Sequence, residues 1–106
     1  NNYMADTYSI ICSKSTANVP AIVSGAGTAL ASNPARAGWS IQNLGTNPLF
    51  VLFGSGASTS VFHTVLKGGT GNDDGLGAFL SQTSGTVYTG IITVAGTSPR
   101  FVVMEL

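Results

Sequence analysis

Short apolar runs alternate with clusters of small polar residues along this 106-residue chain. Val, Ile, Leu, Phe and Tyr dominate the runs and favour strands, whereas the Gly, Ser, Thr, Asn and Pro between them favour turns. The pattern predicts strands at residues 7–12, 21–24, 39–43, 49–54, 61–67, 78–81, 87–95 and 100–106. No long helix is predicted, because Gly27, Thr28, Asn33 and Pro34 break the alanine-rich stretch 26–37 and leave at most one helical turn.

Seven or eight short strands at about ten-residue spacing predict an all-β fold of antiparallel strands. A closed barrel and a two-sheet sandwich both fit, because each leaves few exposed sheet edges. We expect one domain over residues 1–106, with no linker or repeat. Residues 1–3 precede Met4 and are interpreted as residues added for expression or as an upstream start. Residues 4–14 are expected to form an extended N-terminal arm.

The alternation of side chains within the predicted strands identifies core and contact faces. Trp39 and Ile41 share one face of their strand, opposite Ser40 and Gln42. The strands at 49–53 and 100–106 are apolar on both faces, as strands are when they are covered on both sides or lie at a subunit contact. This feature predicts oligomerisation or docking onto a partner.

Charge is scarce in this chain. Four Lys and Arg balance four Asp and Glu, and 8% of residues are charged, whereas about 25% is usual. Four scattered cations form no basic stripe, so we expect no nucleic-acid partner. The longest apolar runs are about six residues, against roughly 20 for a membrane span, and no secretory leader is evident, so no membrane partner is expected. Weak charge repulsion also favours self-association.

Few side chains could support catalysis or bind a metal, because the chain has one histidine and one cysteine. His63 lies among apolar and hydroxyl residues, so we expect a half-buried ring that donates to a backbone carbonyl or lies at a subunit contact. A zinc site needs three or four ligands, which the chain cannot supply. Cys12 has no activating charge nearby except Lys14 and is expected to be a buried structural thiol. We predict no catalytic, metal-binding or cofactor-binding residues, and hence no enzyme.

Two loop segments resemble fragments of binding loops. The stretch 72–75 offers oxygen ligands but lacks the alternate spacing and closing glutamate of a calcium loop, so a polar turn is predicted. The glycine-rich stretch 68–71 lacks the Lys-Ser/Thr of a phosphate loop and opens no helix, so a flexible loop is predicted.

Arginines and aromatic residues provide the candidate interface. An unpaired buried guanidinium is costly, so Arg36 and Arg100 are expected to pair either within the chain, with Glu105, Asp73 or Asp74, or with a carboxylate of a neighbouring subunit. Large aromatic side chains are the usual anchors of protein interfaces. The candidate interface residues are therefore Arg36, Trp39, Phe50, Phe53 and Arg100.

Several segments resemble small structural proteins of tailed bacteriophages. They are RAGWSIQNLGTNPLFVLFG at 36–54, GASTS at 56–60, VFHTVLKGG at 61–69 and NDDGLG at 72–77. The final segment, VYTGIITVAGTSPRFVVMEL at 87–106, is similar to the end of the same group. The resemblance covers about two thirds of the chain, residues 36–106, and residues 1–35 match no named group.

The resemblance implies a virion component, in particular a capsid cement (decoration) protein with a small jelly-roll-like β-sandwich. Such proteins are often homotrimers that bind the outer surface of the capsid and clamp neighbouring major capsid subunits. No functional residue is carried over, because contacts in this group follow surface shape rather than a motif. Two alternatives stay open: a phage tail, baseplate or fibre module, and a carbohydrate-binding β-sandwich that stacks Trp39, Tyr88 or Tyr8 on sugar rings.

Overall fold

The computed structural model describes residues 16–17, 21–22 and 27–106, the first two pairs only as strand backbone. Within these residues the chain is all-β, with no helix. The strands are β1 (Thr16–Ala17), β2 (Ala21–Ile22), β3 (Gly27–Leu30), β4 (Trp39–Asn43), β5 (Leu49–Leu52), β6 (Thr64–Leu66), β7 (Phe79–Gln82), β8 (Ile92–Ala95) and β9 (Arg100–Glu105). The strand predicted at 7–12 lies outside the described residues, as does Cys12.

The strands form two antiparallel sheets. In the first sheet the order is β1, β9, β4 and β7, and β2 pairs with the start of β9 while β1 pairs with its end. In the second sheet the order is β3, β8, β5 and β6. The described strands therefore make a small β-sandwich.

The pairing between strands is nested around one turn. β5 pairs with β6, β4 with β7, β3 with β8 and β2 with β9. Counted outward in both directions from the β5–β6 connection, the first strand on one side pairs with the first on the other, the second with the second, and so on. Such a pattern arises when one long two-stranded ribbon is rolled into two sheets, which is the wiring of a jelly roll. The predicted all-β, jelly-roll-like class is confirmed.

The core lies between the inward faces of the two sheets. In β4 the inward residues are Trp39 and Ile41, as the alternation predicts, and Leu80 of β7 pairs with Ile41 on the same face. Apolar side chains from four strands fill the centre: Trp39, Ile41, Leu49, Val51, Ile92, Val94, Phe101 and Val103. Burying one such side chain contributes about 1.5–3 kcal/mol, so this layer is the main favourable term for the fold.

Three parts of the chain depart most from the predicted strands. β3 forms at Gly27–Leu30, where at most a helical turn was expected, because Leu30 is buried against β8. The strand predicted at 87–95 starts only at Ile92. The strand predicted at 61–67 is reduced to β6, because Ser58 and Val61 form an isolated bridge in a tight turn before it.

Asn43 joins the two sheets at one end of the sandwich. Its side chain is buried, with 1% exposed. Its Nδ2 donates to the carbonyl oxygens of Asn47 and Leu66, each over 2.9 Å, and its Oδ1 accepts from the Gly45 N–H over 2.9 Å. Leu66 belongs to β6 and Asn43 to β4, so one amide satisfies polar groups of both sheets.

We predict that Asn43→Ala lowers the free energy of unfolding by about 2–4 kcal/mol, because it leaves buried carbonyl and N–H groups without partners. Urea unfolding measures this. Asn47→Ala is the matched control, since the Asn47 side chain is exposed and its Nδ2 reaches only the Thr97 carbonyl oxygen. Equal costs for the two variants would contradict a stapling role for Asn43.

Candidate functional site

A hollow of about 420 Å³ opens at the end of the sandwich opposite Asn43. Trp39 at the start of β4 and the end of β7 form one wall, Phe53 after β5 and His63 before β6 form another, and Tyr88 comes from the β7–β8 loop. We call this site the aromatic hollow; its residues are Trp39, Phe53, His63, Leu80, Ser81, Gln82 and Tyr88.

The aromatic hollow exists because β6 is short. Leu80 and Gln82 pair with Ile41 and Trp39, so their side chains belong to the inward face of the first sheet. β6 starts only at Thr64, and the chain before it forms a turn closed by the bridge between Ser58 and Val61. The inward face at the end of β7 is therefore left without a strand opposite it.

The polar groups of Trp39, Gln82 and Tyr88 in the hollow are bonded within the chain itself. Gln82 Oε1 accepts from Trp39 Nε1 over 3.1 Å and from the Tyr88 N–H over 2.7 Å. Gln82 Nε2 donates to the Thr86 carbonyl oxygen, and the Tyr88 hydroxyl donates to that of Ile91. Because these groups are satisfied, the walls are chemically apolar.

Phe53 lies at the centre of an aromatic cluster. Its ring centroid is 5.6 Å from that of Trp39, 5.4 Å from that of Tyr88 and 5.6 Å from that of His63. The contact with Trp39 is tilted, that with Tyr88 is edge-on and that with His63 is stacked, and together they favour a rigid wall. Phe53 was predicted as an interface anchor, and the structure places it in this wall.

His63 differs from its sequence prediction. It is exposed rather than half-buried, and its Nδ1 accepts from the Phe53 N–H over 3.1 Å instead of donating. Among the described residues no hydrogen-bond partner faces the His63 Nε2, which leaves this atom free in the hollow.

The hollow suits an apolar side chain better than a sugar. Trp39 is only 3% exposed, so it offers no ring face for stacking on a sugar. A sugar also needs several free polar partners, and most of those in the hollow are already bonded. Of the other two candidate stacking residues, Tyr88 bonds back to its own loop and Tyr8 lies outside the described residues.

Arg36 is a buried structural residue, and its prediction as an interface contact is corrected. Its side chain has 0% exposure, and its Nε lies 2.7 Å from Glu105 Oε2. Nη1 donates to the carbonyl oxygens of Tyr88 and Gly90, and Nη2 donates to that of Ala31. The pairing within the chain is therefore what the structure shows, and this guanidinium faces no partner. Trp39 is likewise a core residue.

Arg100 also pairs within the chain, at the opposite end. Its Nε and Nη2 each lie 2.7 Å from a carboxylate oxygen of Asp73. These bonds lower the pKa of Asp73 and raise the pKa of Arg100. Arg100 keeps a partly exposed side chain, so its predicted role at an interface stays a prediction.

The stretch 72–75 forms the predicted polar turn, organised by Asp74. The Asp74 carboxylate accepts from the N–H groups of Leu76, Thr70 and Gly71 and from the Thr70 hydroxyl. These hydrogen bonds, that from Leu76 above all, lower the pKa of Asp74. The carboxylate thus serves the loop rather than a ligand.

An apolar patch lies on the outside of the second sheet. Phe50 is half-buried on the outward face of β5, opposite Val65 of β6. The Phe62 ring meets Phe50 edge-on at 5.0 Å. Phe62 and Val65 are 40% and 42% exposed. We call Phe50, Phe62 and Val65 the outer patch; the sequence pointed to Phe50 and missed the other two.

No family model, no curated protein and no solved structure matches this chain. The resemblance to phage structural proteins therefore stays a prediction from the sequence segments. Among residues 27–106 and the two described strand pairs before them, no three His, Cys, Asp or Glu side chains are grouped as metal ligands. The same part of the chain contains no helix long and apolar enough to cross a membrane.

We predict that Arg36→Met lowers the free energy of unfolding by about 3–5 kcal/mol, because it leaves the Glu105 carboxylate and three carbonyl groups without their partner. Chemical denaturation measures the cost. Arg100→Met, which removes a partly exposed arginine from its ion pair, is the matched control and should cost far less. An Arg36 variant as stable as the Arg100 variant would refute the role of the buried pair.

A second prediction concerns acid. A carboxylate whose pKa is lowered by folding stabilises the fold above its unfolded pKa, about 3.9 for aspartate, and this contribution is lost as the pH falls through the folded value. Asp74→Asn should therefore lower Tm at pH 7, and the difference from wild type should shrink towards pH 3. Thermal melting between pH 7 and pH 3 measures the Tm of both proteins. A difference in Tm that stays constant over this range would show that the charge of Asp74 does not contribute to stability.

Proposed function

We propose that this chain is a non-enzymatic structural component of a bacteriophage virion, a capsid cement (decoration) protein. In this proposal it binds the outer surface of the head as a homotrimer and clamps neighbouring major capsid subunits. The single observation that carries the proposal is the outer patch, since a contiguous apolar surface marks a protein-binding site when it lies on an otherwise ordinary small domain. The phage-like segments give the proposal its particular partner.

The form of the patch fits a permanent contact. Phe50 and Phe62 pack against each other, so the two rings are already ordered before a partner arrives. Binding then costs little side-chain entropy, which is the usual advantage of preorganised aromatic anchors. Val65 beside them has a branched, stiff side chain with the same advantage.

The shortage of charge also fits a cement protein. Association in this chain relies on apolar burial instead of electrostatic attraction, because the formal net charge is zero. Apolar contacts are not screened by salt as charge contacts are. Many copies with modest individual affinity can together stabilise a shell, and stabilising a shell requires no reaction.

We expect purified capsids stripped of this protein to bind the added wild-type chain and to melt at a higher temperature when it is bound. Phe62→Asp should weaken binding at least about tenfold, equivalent to about 1.4 kcal/mol, because a carboxylate in the patch must be desolvated. Cosedimentation with capsids measures the affinity, and calorimetry measures the melting.

Leu76→Asp is the matched control, because Leu76 is an exposed apolar residue outside the outer patch and the substitution adds the same charge. Equal losses in both variants would refute the patch as the contact. Unchanged capsid melting with the protein bound would refute the clamp.

Copy number separates the cement proposal from the tail, baseplate or fibre alternative. Cement on a capsid lattice requires a ratio to the major capsid protein between about one to three and one to one, and quantitative mass spectrometry of purified virions measures this ratio. A few copies per particle would favour the tail, baseplate or fibre alternative instead. Absence from virions would overturn both.

A further inference from the structure

One edge of the first sheet carries free backbone groups. The Asn43 N–H donates to the Ala78 carbonyl oxygen. Backbone groups of an antiparallel strand point alternately to its two sides, so Leu80 and Gln82, at every second position after Ala78, also point their backbone groups towards β4. The N–H and C=O groups of Phe79 and Ser81 then point away from β4. Within the described chain no other group bonds to them, so this edge can accept another strand.

The aromatic hollow lies directly beside this free edge. Leu80 and Gln82, which alternate with Phe79 and Ser81 along β7, line the hollow. A strand that pairs with β7 would therefore place every second side chain at the mouth of the hollow. Strand addition beside an apolar pocket is a common mode of peptide recognition, with the backbone giving affinity and the pocket giving specificity.

β1 starts at this same end of the sandwich. Thr16 pairs with Glu105, Glu105 with Trp39 and Trp39 with Gln82, so these four residues form one row across the sheet. β1 runs away from the hollow end, because it is antiparallel to β9. Thr16, the first described residue, therefore lies at the end where the hollow opens.

Residues 7–12 have the pattern of an edge-adding strand. Tyr8, Ile10 and Cys12 alternate with Thr7, Ser9 and Ile11 and supply one apolar face. The segment has no proline and no charge, so every residue can donate a backbone hydrogen bond and none resists burial.

Chain length limits how much of the segment can reach β7 of its own chain. A strand beyond β7 lies four strand spacings from β1, about 19 Å at roughly 4.8 Å each. Cys12 is four residues from Thr16 and reaches about 14 Å at full extension. The whole segment therefore cannot pair with β7 of its own chain, whereas a second copy imposes no such limit.

We propose that the free edge of β7 and the aromatic hollow receive residues 7–12 of a second copy of this chain, with Tyr8 or Ile10 in the hollow. This contact specifies a site for the proposed self-association and does not depend on the capsid. Because it is tested on the isolated protein, its failure and a failure of capsid binding are distinguishable.

Trp39 is the single tryptophan of the chain and lines the hollow, so its fluorescence reports on what binds there. An acceptor chain carries Trp39→Phe, Cys12→Ser and Asp6→Cys with a dansyl group on position 6, just outside the segment. It is mixed with unlabelled wild-type chain, so energy transfer from Trp39 can occur only between copies. We expect transfer that saturates with the acceptor chain.

Ile10→Asp in the acceptor chain should reduce this transfer at least about tenfold in apparent affinity, since the carboxylate would enter the apolar hollow. Ser9→Asp is the matched control, because it puts the same charge on the opposite face of the segment and should leave transfer unchanged. Absence of transfer between copies, or equal loss in both variants, would overturn the proposal. A second labelled chain carries Cys12→Ser and Asp6→Cys with the dansyl group and keeps Trp39. Energy transfer within this chain, without transfer between copies, would show instead that the segment folds back on its own chain.

A second measurement uses the chain without labels. Ser81→Pro removes an N–H that points to the free edge and leaves the pairing with β4 in place, as proline on an edge strand does. Sedimentation should show that Ser81→Pro shifts self-association at least about tenfold towards monomer, whereas Ser81→Ala keeps wild-type association. Equal association of the two variants would overturn strand addition at β7.

Discussion

The buried guanidinium of Arg36 holds together the end of the sandwich on which the candidate site depends. A buried cation needs hydrogen-bond partners within the protein, and Arg36 uses four of its five N–H donors to bond Glu105 and the carbonyl groups of Ala31, Tyr88 and Gly90. These partners come from β9, the segment after β3 and the β7–β8 loop. One side chain therefore ties the first sheet to the second and fixes the loop that carries Tyr88 into the aromatic hollow.

The short β6 explains why two different surfaces lie on neighbouring strands. Phe50 in β5 belongs to the outer patch, and Phe53, directly after β5, lines the hollow. If β6 continued to the end of β7, the hollow would be part of the core. The late start of β6 leaves an opening lined with rings at one end of the sandwich, and none of the described residues bonds to the outer edge of β7 beside it.

The sequence predicted those features that depend on local alternation and missed those that depend on distant partners. The period of two at Trp39 and Ile41 identified β4 and its buried face, because one face of that strand is apolar and the other polar. β3 has no such pattern and becomes a strand only through β8. Residues 87–91 alternate like a strand, yet Arg36 takes the carbonyl groups of this segment. The sequence around Gln82 did not indicate its role, because that role consists of hydrogen bonds with Trp39 and Tyr88.

The nested pairing has a consequence for the order in which the chain folds. Val51 and Thr64 pair across a short loop, whereas Ala21 and Phe101 pair across most of the chain. Closing a loop costs more entropy as it lengthens, and each inner pair shortens the loop for the next. We expect the ribbon to zip outward from β5–β6, with β2 and β9 last, an order that hydrogen exchange during refolding reports. In this order β2, at the N-terminal end of the ribbon, is fixed in the sheet only after the rest of the sandwich has formed.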